Sequence, residues 1–422
     1  MNKTELYRKT VYQLFLRAFT EEGTLRAAKE QLPALKELGI DILYLCPFFE
    51  ADDDTDEAFL SPRQIASGLG NPKNPYRIKD YFKVDSEYGT ESDAADFVKK
   101  AHELGLKVIF DLVYYHCGPS AVLMKNNPGY VVRNPDGSVT YGKWRFPRLN
   151  FENARLREYL YANMIYLVTA FDVDGFRCDV GDGIPADFWK EGIARCRKIK
   201  DDLLMLNEGR GAPYIDAGFD ADYCMGWEFL SALEKGALDV DALRRTAEYM
   251  DGFASIRFME NHDSANDAFY DRIDTNPRKG DAFLVAVSLV KGLFFLYNGN
   301  EFADSTRHSI YYNRFCEGES LTVDRSKAET EAGKRRRELV KKLIQIRHEN
   351  EALSGSISFD HASDGLLAFT RKNGDAEIRV LVNLSPSDAE IPEGLTPEGK
   401  TVLLSEGTSA DGIAGYGYIV TA

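Results

Sequence analysis

At 422 residues the chain is longer than one compact core usually organises, about 250–300 residues, so two domains or one large barrel with an appendage are expected. Its formal charge of −15 is spread along the chain, a surface that repels phosphate backbones and makes nucleic acid a poor partner. No apolar stretch is long enough to cross a bilayer, so no membrane span is expected.

Short apolar strands alternate with amphipathic helices from the N-terminus to about residue 347. The first strand is read at Val11–Phe19, followed by a helix bearing Leu25, Ala28, Leu32, Leu35 and Leu38 and stopped by Gly39. The second strand is Ile40–Phe49. A capping-box pattern, Thr90-x-x-Asp93, opens the next helix, which ends at Gly105 just before KVIFDLVYYH. The segments LKELGIDILYL and AHELGLKVIFDL repeat one device: a helix end, a glycine cap, then a strand apolar on both faces. Further strands are read at Val173–Val180, Leu203–Glu208, near Asp222–Trp227, at Ser255–Asp263 and at Gly292–Glu301. Eight βα units predict a (β/α)8 barrel.

Two stretches break the alternation. Residues 117–150, rich in Gly, Pro and Asn, form an inserted loop or subdomain after the third strand. From residue 348 onward short strands (SISFDHA, GLLAFTRKN, EIRVLVNLS, KTVLLSEG, GYGYIVTA) predict a C-terminal antiparallel, sandwich-like β domain. The expected organisation is therefore a catalytic barrel over 1–347 and a β domain over 348–422.

The opening MNKTELYRKTVYQLF lacks the basic-then-apolar pattern of a signal peptide. Six cysteines (Cys46, Cys117, Cys178, Cys196, Cys224, Cys316) show no CxxC pair, so reduced thiols and a cytoplasmic setting are expected. High aromatic content, 22 Tyr and 25 Phe, suits a core and equally suits stacking on sugar rings.

Barrel enzymes place their chemistry at the C-terminal ends of strands. Here Asp111 and His116 follow the third strand, Arg177 and Asp179 the fourth, Glu208 the fifth, and His262 and Asp263 the seventh. One carboxylate closing a strand is explained as a helix cap. Four strands converging carboxylates, His and Arg on one mouth point to a site.

The segments DLVYYH, GFRCDV, LNEG and ENHD, in that order, resemble the four signature regions of the α-amylase family, glycoside hydrolase family 13. VYQLFLRAF, GIDILYLCPF and LYNGNE are similar to that family as well, and a C-terminal β domain accords with it. The resemblance implies a retaining hydrolase of α-glucosidic bonds in α-glucans or malto-oligosaccharides. It assigns Asp179 as nucleophile, Glu208 as general acid/base and Asp263 as the third carboxylate. Tyr76 would stack on the sugar, and His116 and His262 would hydrogen-bond it. Arg177, two residues before Asp179 on one strand, faces the same way, and its charge is expected to keep Asp179 ionised while burial raises Glu208. Asp111 is expected to be a structural neighbour.

Several positions depart from the family pattern. Tyr115 stands where the family has an Asn that often ligates calcium, so no metal cofactor is expected. FPRLN is similar to a segment of neopullulanase and cyclomaltodextrinase relatives, with Arg148 where oligo-1,6-glucosidase relatives have Asp. The first barrel strand begins by residue 11, which leaves no N-terminal β module of the kind that builds dimers in those relatives, and a monomer is expected. Arg77 and Asn266 occupy positions where exo-acting relatives carry an Asp–Arg pair around a terminal glucose. An open cleft releasing maltose or longer pieces is therefore expected. The alternatives are a transglycosylase on the same scaffold, a non-catalytic glucan-binding protein, for which the complete triad is unfavourable, and a metal-dependent barrel hydrolase, for which an HxH pair is missing.

Overall fold

The computed structural model describes residues 3–223, 254–265, 272–363 and 365–422. Eight parallel strands close a barrel: β1 (Thr10–Leu14), β2 (Ile42–Leu45), β3 (Lys107–Leu112), β4 (Gly175–Cys178), β5 (Leu204–Asn207), β6 (Ala221–Asp222), β7 (Ala254–Phe258) and β8 (Leu293–Tyr297). Each pairs with its neighbours in sequence, and β8 returns to β1 with Thr10 opposite Phe294. Ring contacts cross the interior: Phe295 on β8 meets Tyr44 on β2 at 6.1 Å and Tyr223 after β6 at 5.7 Å. The barrel is thus a packed core and not a pore.

All eight predicted strands are present, each shorter than its apolar run. Residues 15–19, for example, leave β1 and turn into the helix Leu16–Phe19. Burial demands apolar side chains beyond the last ladder hydrogen bond, so the apolar run outlasts the strand. Of the sixth run, residues 224–227 lie outside the described residues, as do Cys224 and Asn266.

Local chemistry explains the boundaries. The Thr90–Asp93 capping box forms as expected and starts the helix Glu91–Glu103. Gly39, at φ 99°, caps the helix Leu32–Leu38 in the left-handed region. Gly175 opens β4 at φ 155°, where a Cβ would sit 1.9 Å from the Leu204 carbonyl oxygen, so only glycine lets β4 lie against β5 there.

Two excursions from the barrel border its C-terminal mouth. Between β2 and the helix Glu91–Glu103, a ribbon of Phe49–Ala51 and Ile78–Val84 carries a long segment, 52–77, with the short helix Pro62–Ser67. After β3, residues 117–150 hold a one-turn helix, Val122–Asn126, and isolated bridges Val131–Leu149 and Tyr141–Pro147.

Beyond the helix Glu331–Glu349, strands β9 (Ser356–Ser363), β10 (Leu366–Asn373), β11 (Ala376–Asn383), β12 (Ala389–Glu390), β13 (Val402–Thr408) and β14 (Gly412–Thr421) form one antiparallel hydrogen-bonded sheet. One face, with Leu367, Phe369, Val380 and Val382, joins the barrel's own hydrophobic cluster. The other buries Leu366, Ala368 and Leu381 against Ile391 and Ile413. The buried guanidinium of Arg371 fastens the sheet to the barrel by donating to the Leu289 and Gly355 carbonyls. Among the described residues no helix is long and apolar enough to cross a membrane.

Candidate active site

The C-terminal mouth of the barrel gathers every residue that the sequence motifs single out. Arg177 lies on β4, and Asp179 is the first residue past its end. Glu208 is the first past β5, and its N–H donates to the Cys178 carbonyl (3.0 Å). His262 and Asp263 sit in the turn after β7. Asp179, Glu208, His262 and Asp263 line a cavity of about 110 Å³ together with Tyr76, His116, Trp144 and Phe146, and Arg177 is buried behind them.

Arg177 is the hub. Its Nη1 donates to both Asp111 oxygens at 2.8 Å and to Asp179 Oδ1 at 3.0 Å, while Nη2 lies 2.7 Å from Glu208 Oε2. It is buried, beside the rings of Tyr44, Tyr76 and Tyr223. One guanidinium therefore serves three carboxyl groups.

That sharing revises the expectation for Asp179. Burial pushes its carboxyl well above the ordinary range, and the neighbouring Glu208 and Asp111 add to the rise, against Arg177. Glu208 is raised too, by burial first and by Asp263 among its neighbours, against Arg177 and the Val180 N–H. Asp179 and Glu208 are thus two raised carboxyls drawn onto one guanidinium. Such a pair titrates as a unit and retains one proton between its two carboxyls.

Val180 adopts φ 44°, ψ 44°, a left-handed conformation that a β-branched residue rarely takes. The turn aims its N–H at Glu208 Oε2 (2.9 Å), so backbone strain is coupled to the position of a site carboxyl.

On the opposite wall, Gln13 of β1 fixes His262. Its amide oxygen accepts from the His262 N–H (3.0 Å), which orients the amide nitrogen toward Nδ1 at 2.7 Å. The proton then resides on Nε2, which faces the Tyr76 hydroxyl at 2.7 Å. That hydroxyl donates to Asp111 Oδ2 (3.2 Å), and the Tyr76 and His262 rings stack at 5.3 Å. Burial lowers His262 to about 4, so the ring is neutral at neutral pH.

His116 is likewise neutral, lowered by burial to about 4. Its Nε2 donates to the Tyr76 carbonyl (2.8 Å), which leaves Nδ1 as a buried acceptor with no partner among the described residues. The rings of Phe146 and Trp144 flank it at 5.0 and 5.4 Å. Asp263 shows the reverse balance: burial would raise it, but His262 and Arg63 outweigh burial and hold it low.

Gln13, Arg63, Trp144 and the Ile310–Tyr311 edge are not part of the sequence motifs. Only Gln13 carries a signal, a polar residue in the apolar run VYQLF. Arg77 is not at the site. It is buried at the end of the segment 52–77 and donates to the carbonyls of Asp52, Asp54 and Phe59.

The position of the family's calcium ligand does not fit a cation. The Tyr115 ring already faces the Arg148 guanidinium at 5.1 Å and the Trp144 ring at 6.1 Å. Among the described residues no three His, Cys, Asp or Glu side chains are grouped to hold a metal.

The model of the α-amylase catalytic domain matches residues 8–128. Residues 8–128 are thus similar to part of an α-amylase catalytic domain. It is 24% identical to the α-amylase MalA of Haloarcula japonica, over 96% of this chain and 60% of that protein. It is 25% identical to a cyclomaltodextrinase of Thermoanaerobacter pseudethanolicus, over 86% of this chain and 64% of that one. It thus spans less than two thirds of the length of these relatives. Among solved structures, an α-amylase from Lactobacillus plantarum superposes with a TM-score of 0.79 at 23% identity over 99% of both chains. A maltogenic α-amylase, AmyB, from Thermotoga neapolitana gives 0.78 at 24% identity, over 100% of this chain and 99% of that one. The barrel and its C-terminal antiparallel sheet are the fold of those amylases.

Proposed function

We propose that this α-amylase-type protein is a retaining glycoside hydrolase that cleaves α-glucosidic bonds, α-1,4 bonds foremost, in starch-derived glucans or malto-oligosaccharides. The observation that carries this reading is the Asp179–Glu208 pair, both carboxyls held by the single guanidinium of Arg177, Asp179 at 3.0 Å and Glu208 at 2.7 Å. Inverting enzymes hold their two carboxyls about 6.5–9.5 Å apart to admit a water, whereas retaining ones hold them about 5–5.5 Å apart. Two carboxyls drawn onto one guanidinium support the closer class.

The chemistry follows from the contacts. Asp179 attacks the anomeric carbon as Glu208 gives its proton to the departing glycosidic oxygen, so one C–O bond forms and another breaks. The Glu208 carboxylate left behind is stabilised at Oε2 by Arg177 and the Val180 N–H. It then takes a proton from water, whose oxygen attacks the anomeric carbon and frees Asp179. Asp263, held ionised, accepts from ring hydroxyls, and His116 lines the same cavity. Tyr76 and His262 present a stacked, neutral wall to the sugar.

The same reading extends to setting and assembly. A cytoplasmic monomer is supported by the thiols of Cys46, Cys117, Cys178, Cys196 and Cys316, all unpaired with one another. The exposed large apolar side chains of the described residues, among them Ile65, Ile199, Phe315 and Val402, are scattered along the chain.

A fluorinated glycosyl donor with a good leaving group tests the chemistry. Peptide mass mapping should find the trapped sugar on Asp179, and Asp179→Asn should abolish trapping. An adduct on Glu208 or Asp263 would overturn the assignment.

A further inference from the structure

The segment 52–77 crosses the mouth of the barrel and is fastened at several points. Arg77 holds its first turn through the carbonyls of Asp52 (2.9 Å), Asp54 (2.6 Å) and Phe59 (3.1 Å). Arg145, from the insertion after β3, donates to the Glu57 and Leu60 carbonyls, and Phe59 packs against Tyr141 at 5.5 Å. On the far side the Ser61 hydroxyl meets the Tyr311 hydroxyl (3.3 Å), and Asn71 donates to the Tyr311 carbonyl (2.8 Å). The segment therefore bridges the insertion and the β8 side, with the site beneath it.

From the middle of this bridge Arg63 points into the cavity. Its Nη1 donates to Asp263 Oδ1 and its Nη2 to the Asp263 carbonyl, both at 2.9 Å. Both side chains remain about one-third exposed, 29% and 35%, so the pair faces the space a ligand would fill. An ion pair that open contributes little to stability. The cavity it closes, about 110 Å³, is far below the ~300–1,000 Å³ usual for small-molecule sites. It is suited to one sugar ring. Among the described residues the 52–77 bridge meets the Tyr311 side of this cavity at the Ser61 hydroxyl.

We infer that Arg63 is a specificity-determining residue that contacts the sugar undergoing cleavage, and that the 52–77 bridge makes the site a one-sugar pocket reading the end of a short glucan. The Arg63 guanidinium and the Asp263 carboxylate together hold vicinal hydroxyls of that sugar, the one donating and the other accepting. This departs from the open cleft expected from Arg77 and Asn266, because Arg77 holds the wall up instead of leaving the cleft bare. The inference rests on the proposed glycoside hydrolysis.

Product analysis with maltotriose and maltoheptaose tests it on the full chain. The wild type should release glucose first from both. Arg63→Ala should lose at least about tenfold in kcat/KM on maltotriose, mostly through KM. It should also release maltose and longer products from maltoheptaose, while Arg63→Lys recovers part of the glucose release. A melting temperature close to wild type for Arg63→Ala would separate this role from a structural one. Maltose or longer products from the wild type, or an unchanged product pattern in Arg63→Ala, would overturn the inference and leave the hydrolase reading standing. No turnover of either glucan and no trapped sugar on Asp179 would overturn both.

Discussion

Arg177 imposes a proton count on the site. With Asp111 bonded twice, Asp179 once and Glu208 in contact, the guanidinium cannot neutralise all three, so one proton stays on the Asp179–Glu208 pair above the ordinary carboxylate range. The pair works with one proton bound, and because its affinity for that proton is raised, the proton is retained as pH rises past usual carboxylate values. Activity then falls as pH climbs through the upper titration of the pair, and falls on the acid side when a second proton reaches it. Glu208→Gln should abolish the alkaline limb and cut turnover of malto-oligosaccharides by about 10²–10⁴-fold. It should spare the first step on a glycosyl fluoride, whose leaving group needs no proton. A retained alkaline limb in that variant would move the acid elsewhere. Gln13 belongs to the same scale: by gripping both the backbone and Nδ1 of His262 it selects the tautomer that faces Tyr76.

At the scale of the element, the segment 52–77 is held chiefly by side chains bonded to its backbone carbonyls. Arg77 supplies three such bonds from a buried position, and each N–H of a charged donor to a carbonyl contributes about 1.5–3 kcal/mol. Arg77→Ala should lower the melting temperature and speed proteolysis within residues 53–60, since those carbonyls lose their donor. It should also weaken maltotriose binding more than maltoheptaose binding, because the wall loosens while the carboxylates stay in place. Limited proteolysis and a pair of KM values decide it, and equal losses on both substrates would show that the segment is only a strut.

At the scale of the molecule, the barrel and the C-terminal sheet share one hydrophobic cluster, from Phe295 and Leu343 through to Phe369 and Val420. Arg371 and Arg347 are buried at the junction, Arg371 reaching the Leu289 and Gly355 carbonyls and Arg347 those of Lys9 and Gly292. Neither part can lose the other without exposing apolar surface and unpaired carbonyls. Calorimetry should therefore show one cooperative unfolding transition, and Arg371→Ala should lower it as a whole. Two resolved transitions would mean that the sheet unfolds on its own.

The sequence by itself determined the barrel, because βα alternation, glycine caps and strands apolar on both faces are local patterns that covalent order displays directly. It also determined where the triad falls, since a barrel delivers the residue after each strand to one mouth whatever the loops do. What it could not display was contact between residues far apart in the chain. Arg63 meets Asp263 across 200 positions and Gln13 meets His262 across 249, and nothing near either residue encodes the meeting. The charge balance is beyond local reading for the same reason. Arg177 beside Asp179 looks like a private pair until Asp111 and Glu208 arrive from other strands to claim the same guanidinium. Arg77, conspicuous beside Tyr76 in the sequence, turns away from the cavity into the 52–77 segment, where three carbonyls satisfy its donors. Local periodicity decides which elements form and which residues reach the mouth, whereas the sharing of charge and the closing of a pocket are properties of the packed whole.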